Sequence, residues 1–167
     1  DLTLSDAVAF RVDFDGALPP APERYWRGPV LSRFDGRMWS MAVARGDAKM
    51  ARAPSNWIGY TVTLEPYGRQ WLFALEFPVG LPRFVGAEEA VTAMTTLTPD
   101  QQLIARRPIT QVVQYAQRSS LDSSYLAEGR RDAQDNLQLP SDANPRAFAF
   151  ARELRELHAD DRDYIAA

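Results

Sequence analysis

The 167-residue chain has no cysteine and a single histidine, His158. The first absence removes cysteine nucleophiles, thiolate metal sites and disulfides from this stretch of protein. It leaves the compartment open, because many periplasmic and cytosolic domains manage without cysteine. One histidine cannot build a multi-histidine metal centre. No apolar run approaches the roughly 18 residues of a membrane span, and there is no signal peptide. The chain starts at Asp1 without an initiating methionine. That start predicts a piece of a longer protein, with targeting segments left outside it.

An excess of positive charge is also missing. Lysine and arginine number 19 against 22 acidic residues, for a net charge of -3. This is not the basic footprint of a nucleic-acid binder, so no nucleic-acid partner is expected. The chain is 46% hydrophobic and 25% charged, an ordinary globular balance. Its length suits one domain, or one domain and the start of another. A chain of this size buries on the order of 70% of its unfolded surface, so neither disulfide nor metal is needed for folding.

What is present reads mainly as strand. Val8, Phe10, Val12 and Phe14 alternate with Ala9, Arg11 and Asp13, which puts four apolar side chains on one face. Asp15-Gly16 and Pro19-Pro20-Ala21-Pro22 end that strand in a surface loop. Tyr25-Trp26-Arg27 and Val30-Leu31 read as strand, with a kink or bulge at Gly28-Pro29. Asp35-Gly36, between Arg33-Phe34 and Arg37-Met38-Trp39, predicts a hairpin with a type I′ turn, which needs positive φ at both central residues. Gly46 to Asn56 reads as loop. Ile58, Tyr60, Val62 and Leu64 alternate with smaller residues, Pro66-Tyr67-Gly68 turns the chain, and Trp71, Phe73, Leu75 and Phe77 return. This predicts a second hairpin over residues 57–77. Weaker strands follow at 91–97 and 102–106, around Thr98-Pro99-Asp100. Residues 109–117 are apolar on both faces, as a central strand would be. Ser119 to Asn136 reads as a long loop.

Asn144-Pro145 predicts a helix start. Asparagine caps free amides, and proline lacks an N–H that would have no partner there. Ala147, Phe150, Ala151, Leu154 and Leu157 share one face of that helix. Asp160 or Asp161 caps a further helix. A helix so near Ala167, with nothing after it to cover its apolar face, predicts that the native protein continues.

Candidate chemistry is sparse. His158 stands at a helix end beside Asp160 and Asp161 and reads as a surface capping residue. Asp13 with Asp15, or Glu88 with Glu89, would serve a glycosidase only if placed across a cleft. Asp160, Asp161 and Asp163 lack the glycine and glutamate of a calcium loop and read as helix N-terminal charge. The sequence therefore predicts no catalytic residue, no metal site and no cofactor. Trp26, Trp39, Trp57 and Trp71, with Tyr25, Tyr60 and Tyr67, read as core first and as a sugar or peptide groove second. Arg27, Arg33 and Arg37 lie near Trp26 and Trp39 in sequence, so cation–π pairing across the hairpin is expected. Trp26, Arg27, Arg33, Arg37 and Trp39 are the candidate partner-contact residues.

Several strings occur in an order that resembles a known family. They are Tyr25-Trp26-Arg27-Gly28-Pro29-Val30-Leu31, then Phe34-Asp35-Gly36 with Trp39, then Leu64-Glu65-Pro66 with Trp71-Leu72-Phe73-Ala74-Leu75. Pro108-Ile109-Thr110-Gln111 with Tyr115, and Asn144-Pro145-Arg146, complete the set. From about residue 6 onward the chain resembles TgpA-type bacterial membrane proteins with a transglutaminase-like domain. The resemblance implies transmembrane helices first, then a periplasmic β-rich segment, then a core with a Cys-His-Asp triad whose cysteine is the acyl-accepting nucleophile. No residue here matches a triad member. The catalytic cysteine motif would lie downstream of Ala167, and no catalytic residue is carried over.

The combined expectation is a mainly β fold, an antiparallel sandwich or partly open barrel of about six to eight strands, with a C-terminal helix. Residues 1–140 would form a β-rich accessory domain. Residues 141–167 would be the start of a transglutaminase-like core, or the linker to it. The fragment would be a non-catalytic periplasmic part of an inner-membrane protein. It would support or gate the downstream core, or bind a periplasmic protein or peptide, without inserting into the membrane itself. The alternatives are an independent peptide- or glycan-binding module and, last, a carboxylate hydrolase.

Overall fold

The alternating segment at 58–64 becomes the centre of the main sheet. A computed structural model describes residues 7–41, 56–86, 95–122, 138–140 and 143–166. They divide into two units, Asp1–Val30 with Val43–Arg131, and Leu31–Ala42 with Asp132–Ala167.

In the first unit, strand β1 is Phe10–Phe14, a single 3₁₀ turn spans Ala21–Glu23, and β2 is Trp26–Arg27. The long strand β5, Ile58–Leu64, pairs antiparallel with β1 in the register Phe10↔Leu64 to Phe14↔Tyr60. On its other side lies β12, Val113–Ser120, paired from Val113↔Leu64 to Ser119↔Ile58. The far edge of β12 carries two short strands, β8 at Phe77–Pro78 and β9 at Arg83–Phe84. Tyr60, Val62 and Leu64 of β5 are buried, as the alternation predicts. Phe10, Val12 and Phe14 face the same core, while Arg11 and Asp13 are exposed. A three-stranded sheet follows the order β10-β11-β6, from Thr95–Leu97, Leu103–Ala105 and Trp71–Leu72. A two-stranded pair joins β2 to β7, Ala74–Leu75.

The predicted central strand exists, starting four residues later and ending three later than the pattern placed it. The two weak strands around Thr98-Pro99-Asp100 are present at Thr95–Leu97 and Leu103–Ala105, and they pair with each other. The second predicted hairpin does not form. Segment 71–78 breaks into β6, β7 and β8, which pair with β11, β2 and β12. Burial explains the break. Leu72, Ala74, Leu75, Phe77 and Pro78 are the buried residues, and two buried neighbours cannot lie on one face of a regular strand. Both edges of β5 are meanwhile taken by β1 and β12, which offer longer registers. Val30-Leu31 is not strand; the Val30 amide instead donates to the buried Gln102 side chain at 2.8 Å. The expected loops at 46–56 and 119–136, and the Glu88–Glu89 pair, lie almost wholly outside the described residues. Where described, Ser119 and Ser120 belong to β12.

The second unit holds a small hairpin and two helices. Strands β3, Arg33–Phe34, and β4, Trp39–Ser40, pair as Phe34↔Trp39. Helix α1 spans Pro145–Leu157 and helix α2 spans Asp161–Ala166. Among the described residues the fold is thus mainly antiparallel β with a C-terminal helical segment, in twelve mostly short strands that close no barrel.

Candidate functional site

The five residues expected to contact a partner fall in both units. Trp26 and Arg27, in the first, are built into its frame. Trp26 is half-buried, edge-on to Phe10 at 5.2 Å and to Tyr60 at 5.5 Å. These contacts make it part of the aromatic border of the core. Arg27 lies opposite Ala74, and its Nε donates to the Glu76 carbonyl at 2.7 Å while one terminal nitrogen reaches Glu76 Oε1 at 3.1 Å. Its guanidinium stands 5.8 Å from the Tyr25 ring and 5.7 Å from the Phe77 ring. Arginine therefore does find aromatic faces, but those of Tyr25 and Phe77 rather than the expected tryptophans.

Arg33, Arg37 and Trp39 belong to the second unit and are exposed. The hairpin forms where Asp35-Gly36 predicts it, through a different turn. Phe34 pairs with Trp39, so four residues make the loop, and only Gly36 has positive φ, at 100°. Asp35 replaces the second positive φ with side-chain hydrogen bonds: its Oδ1 accepts the amides of Met38 at 2.7 Å and Arg37 at 2.9 Å. Those two bonds, Met38 first, hold the carboxyl below the ordinary aspartate range. Trp39 stacks on Phe34 at 4.9 Å and stays 51% exposed.

The loop is fastened to the start of the helical segment. Asn144 Nδ2 donates to the Gly36 carbonyl at 3.1 Å. A Cβ on Gly36 would lie 2.6 Å from that of Ala143, so only glycine allows this approach. Asn144 precedes α1 as expected, but its side chain caps nothing in the helix. It sits in the left-handed region at φ 54°, and its carbonyl accepts the amides of Ala147 and Phe148. At the other end of α1, Arg155 pairs with Asp161 at 2.9 Å and lies 4.0 Å from the centre of the Tyr164 ring. Asp160 caps α2 through the amides of Arg162 and Asp163. His158 closes α1, with its amide donating to the Leu154 carbonyl.

Chemically, these surfaces offer guanidinium groups, aromatic faces and a carboxylate. No cluster of three metal-ligating side chains occurs among the described residues. None of the described helices is long and apolar enough to cross a membrane. Two features escape sequence reasoning. One is the Asn144–Gly36 fastening, which joins residues 108 apart. The other is the pair of buried tyrosines, Tyr60 and Tyr115, whose hydroxyls serve segment 73–75. The only hint of the first was a glycine and an asparagine, both tolerant of positive φ.

Comparison with known proteins gives a consistent set. The family described as the TgpA N-terminal domain matches residues 1–125. A protein-glutamine gamma-glutamyltransferase of Pseudomonas aeruginosa is 37% identical over 172 residues, which span all of this chain and 24% of the relative. The crystal structure of the periplasmic domain of TgpA from the same organism superposes with a TM-score of 0.71 at 34% identity, covering 97% of this chain and 54% of that one. The same domain bound to ethylmercury gives a TM-score of 0.68, also at 34% identity, over 97% and 55% of the two chains. The chain thus spans about a quarter of the length of the curated relative.

Proposed function

The chain belongs to the TgpA N-terminal domain family, and from that membership we propose that it is a non-catalytic, periplasmic accessory domain of a membrane-anchored transglutaminase-like protein. The observation that carries this reading is chemical. The resemblance assigns acyl transfer to a cysteine, and none of the 167 residues is one. The relative named for that transfer is about four times as long, with 24% of it covered here. The accessory part centres on the β-rich unit, and the segment from 141 onward leads into the catalytic core. The domain supports or gates that core.

The test compares three proteins: this chain, the whole periplasmic region of its parent, and that region with the β-rich unit deleted. Incorporation of a labelled primary amine into a glutamine-containing protein is the readout. The expected result is no turnover by this chain, turnover by the whole region, and loss of turnover on deletion. Turnover by this chain alone would overturn the reading, as would full activity without the β-rich unit.

A second reading has one observation in its favour. Trp39 is half exposed, stacked on Phe34 and flanked by exposed Arg33 and Arg37, which suits an independent peptide- or glycan-binding module. It requires Trp39→Ala to abolish binding to a peptide or glycan array while cooperative melting persists. An array with no hit for the unaltered chain removes it.

A further inference from the structure

Among its described residues the second unit has no buried core. Every described residue of Leu31–Ala42 and Asp132–Ala167 is exposed or half-exposed, whereas all the buried core residues belong to the first unit. Its elements are also too small to persist alone. A 13-residue helix such as α1 is marginal in water, a six-residue helix such as α2 more so, and a two-stranded hairpin of two-residue strands is not independently stable. Yet the unit presents large apolar side chains: Met38 and Trp39 on the hairpin, Leu139 before the helix, Phe150 and Leu157 seven residues apart on α1, and Ile165 on α2. Phe150 is 60% exposed, Leu157 71% and Ile165 82%. Helical spacing puts Phe150, Leu154 and Leu157 on one stripe, the pattern of a helix that packs against something.

We propose that the β3–β4 hairpin and helices α1 and α2 form one docking element, and that its occupant is the catalytic core of the same polypeptide. The proposal rests on the accessory reading above and names the surface through which that role acts. Three observations select this occupant. The family match stops at residue 125, so the helical segment lies outside the N-terminal domain as the family defines it. Just under half of the solved relative's periplasmic chain lies beyond the match, which is enough protein to cover a helix face. The hairpin, though it comes from inside the family match, is fastened to the helical segment by Asn144 on Gly36 and by the close approach of Ala143. It is therefore an arm of the N-terminal domain that accompanies the first helix of the core. Residues 31–42 thus give the β-rich unit a second link to the core, through the Asn144–Gly36 hydrogen bond and the Ala143 contact, besides the main chain itself.

Hydrogen exchange tests this on the whole periplasmic region of the parent and on the present chain. Amides of 33–40 and 145–157 are expected to gain at least tenfold protection in the longer protein. Phe150→Glu with Leu157→Glu in that protein is expected to remove the gain from both segments while β5 and β12 stay protected. Protection of α1 without the hairpin would overturn the single element. Equal exchange in both proteins would overturn the docking. So would concentration-dependent protection of the present chain accompanied by a dimer in sedimentation, since a second copy would then be the occupant. If the double variant also strips β5 and β12, the helix face is a prop of the β-rich unit, and the proposal falls. Amine incorporation by the same long protein separates the two readings. Protection without turnover keeps the docking and removes the transferase parent; turnover without protection does the reverse.

Discussion

Tyr60 and Tyr115 stand on adjacent central strands and send their hydroxyls to the same broken segment. The Tyr60 hydroxyl accepts the Leu75 amide at 2.8 Å and lies 2.8 Å from Ser119 Oγ. The Tyr115 hydroxyl accepts the Phe73 amide at 3.0 Å and donates to the Phe73 carbonyl at 2.9 Å. Backbone groups that a continuous hairpin would have paired are satisfied by two side chains instead, in a region where an unpaired group is costly. The irregular course of 71–78 is therefore held by the side chains beneath it.

Removing one hydroxyl tests that account. Tyr60→Phe keeps the ring and its contacts but leaves the Leu75 amide and Ser119 Oγ without this partner. The expected loss is about 1–3 kcal/mol of unfolding free energy, read as a lower urea midpoint at unchanged slope. Tyr115→Phe should cost a similar amount. The double variant should cost less than the sum, because both hydroxyls hold one segment. An unchanged midpoint in both single variants would remove the tyrosines from this role.

The same burial predicts alkaline sensitivity. Desolvation pushes the Tyr60 hydroxyl up to about 12 and raises Tyr115 well above 10, with Tyr60 itself adding to the rise. A phenol held neutral in the folded state contributes stability that is complete below pH 10, where the unfolded phenol is also neutral. That contribution falls as pH rises from 10 through 12. For Tyr60 the loss is on the order of 3 kcal/mol. Thermal melts between pH 9 and pH 12, followed with phenolate absorbance, should show two tyrosines ionising together with unfolding. In Tyr60→Phe the alkaline loss should shrink. Free titration of all six tyrosines in the folded protein would contradict it.

What could be read from the sequence follows from this chemistry. Alternation places a strand's faces, so β1 and β5 were legible; β10 and β11 were legible only as two weak strands, not as partners. It does not name the neighbour. Trp71, Phe73, Leu75 and Phe77 alternate well, yet the burial changes face within the segment, from Leu72 and Ala74 to Leu75 and Phe77, because strands elsewhere in the chain had already taken the edges of β5. At the candidate site, Asp35-Gly36 was legible as a turn because its chemistry is local. The separate surroundings of Trp26 and Trp39 were not, since aromatic type alone does not distinguish a core border from an exposed stack.

Arg27 gives a test within the first unit. Its guanidinium holds both the carbonyl and the carboxylate of Glu76 and is only 18% exposed. Arg27→Lys keeps the charge but cannot reproduce the two-point hold, nor the planar face toward Tyr25 and Phe77. About 1 kcal/mol should be lost, and added salt should not erase the difference between the proteins, because geometry rather than net charge has changed. A difference that vanishes at high salt would mean that the Arg27–Glu76 pair acts only as a screened surface charge.

Asn144 joins the hairpin to the helical segment through two separable properties, and two variants divide them. Asparagine tolerates the left-handed backbone at φ 54°, and its Nδ2 reaches the Gly36 carbonyl. Asn144→Gly keeps the backbone conformation without strain and removes the hydrogen bond, at the further entropic cost of a glycine, about 0.5–1 kcal/mol. Asn144→Ala removes the bond and adds the cost of an alanine in that region, about 1–2 kcal/mol. If the bond fastens the hairpin, both variants should speed amide exchange at 33–40, and alanine should further fray the first turn of α1. Gly36→Val should exceed both, because valine is strained at φ 100° and its Cβ would meet Ala143. In all three the β5 and β12 amides should be unaffected, since these substitutions lie outside the unit that holds those strands. Exchange at 33–40 that is unchanged in Asn144→Gly but raised in Asn144→Ala would assign the fastening to backbone conformation alone and leave the hydrogen bond without a role.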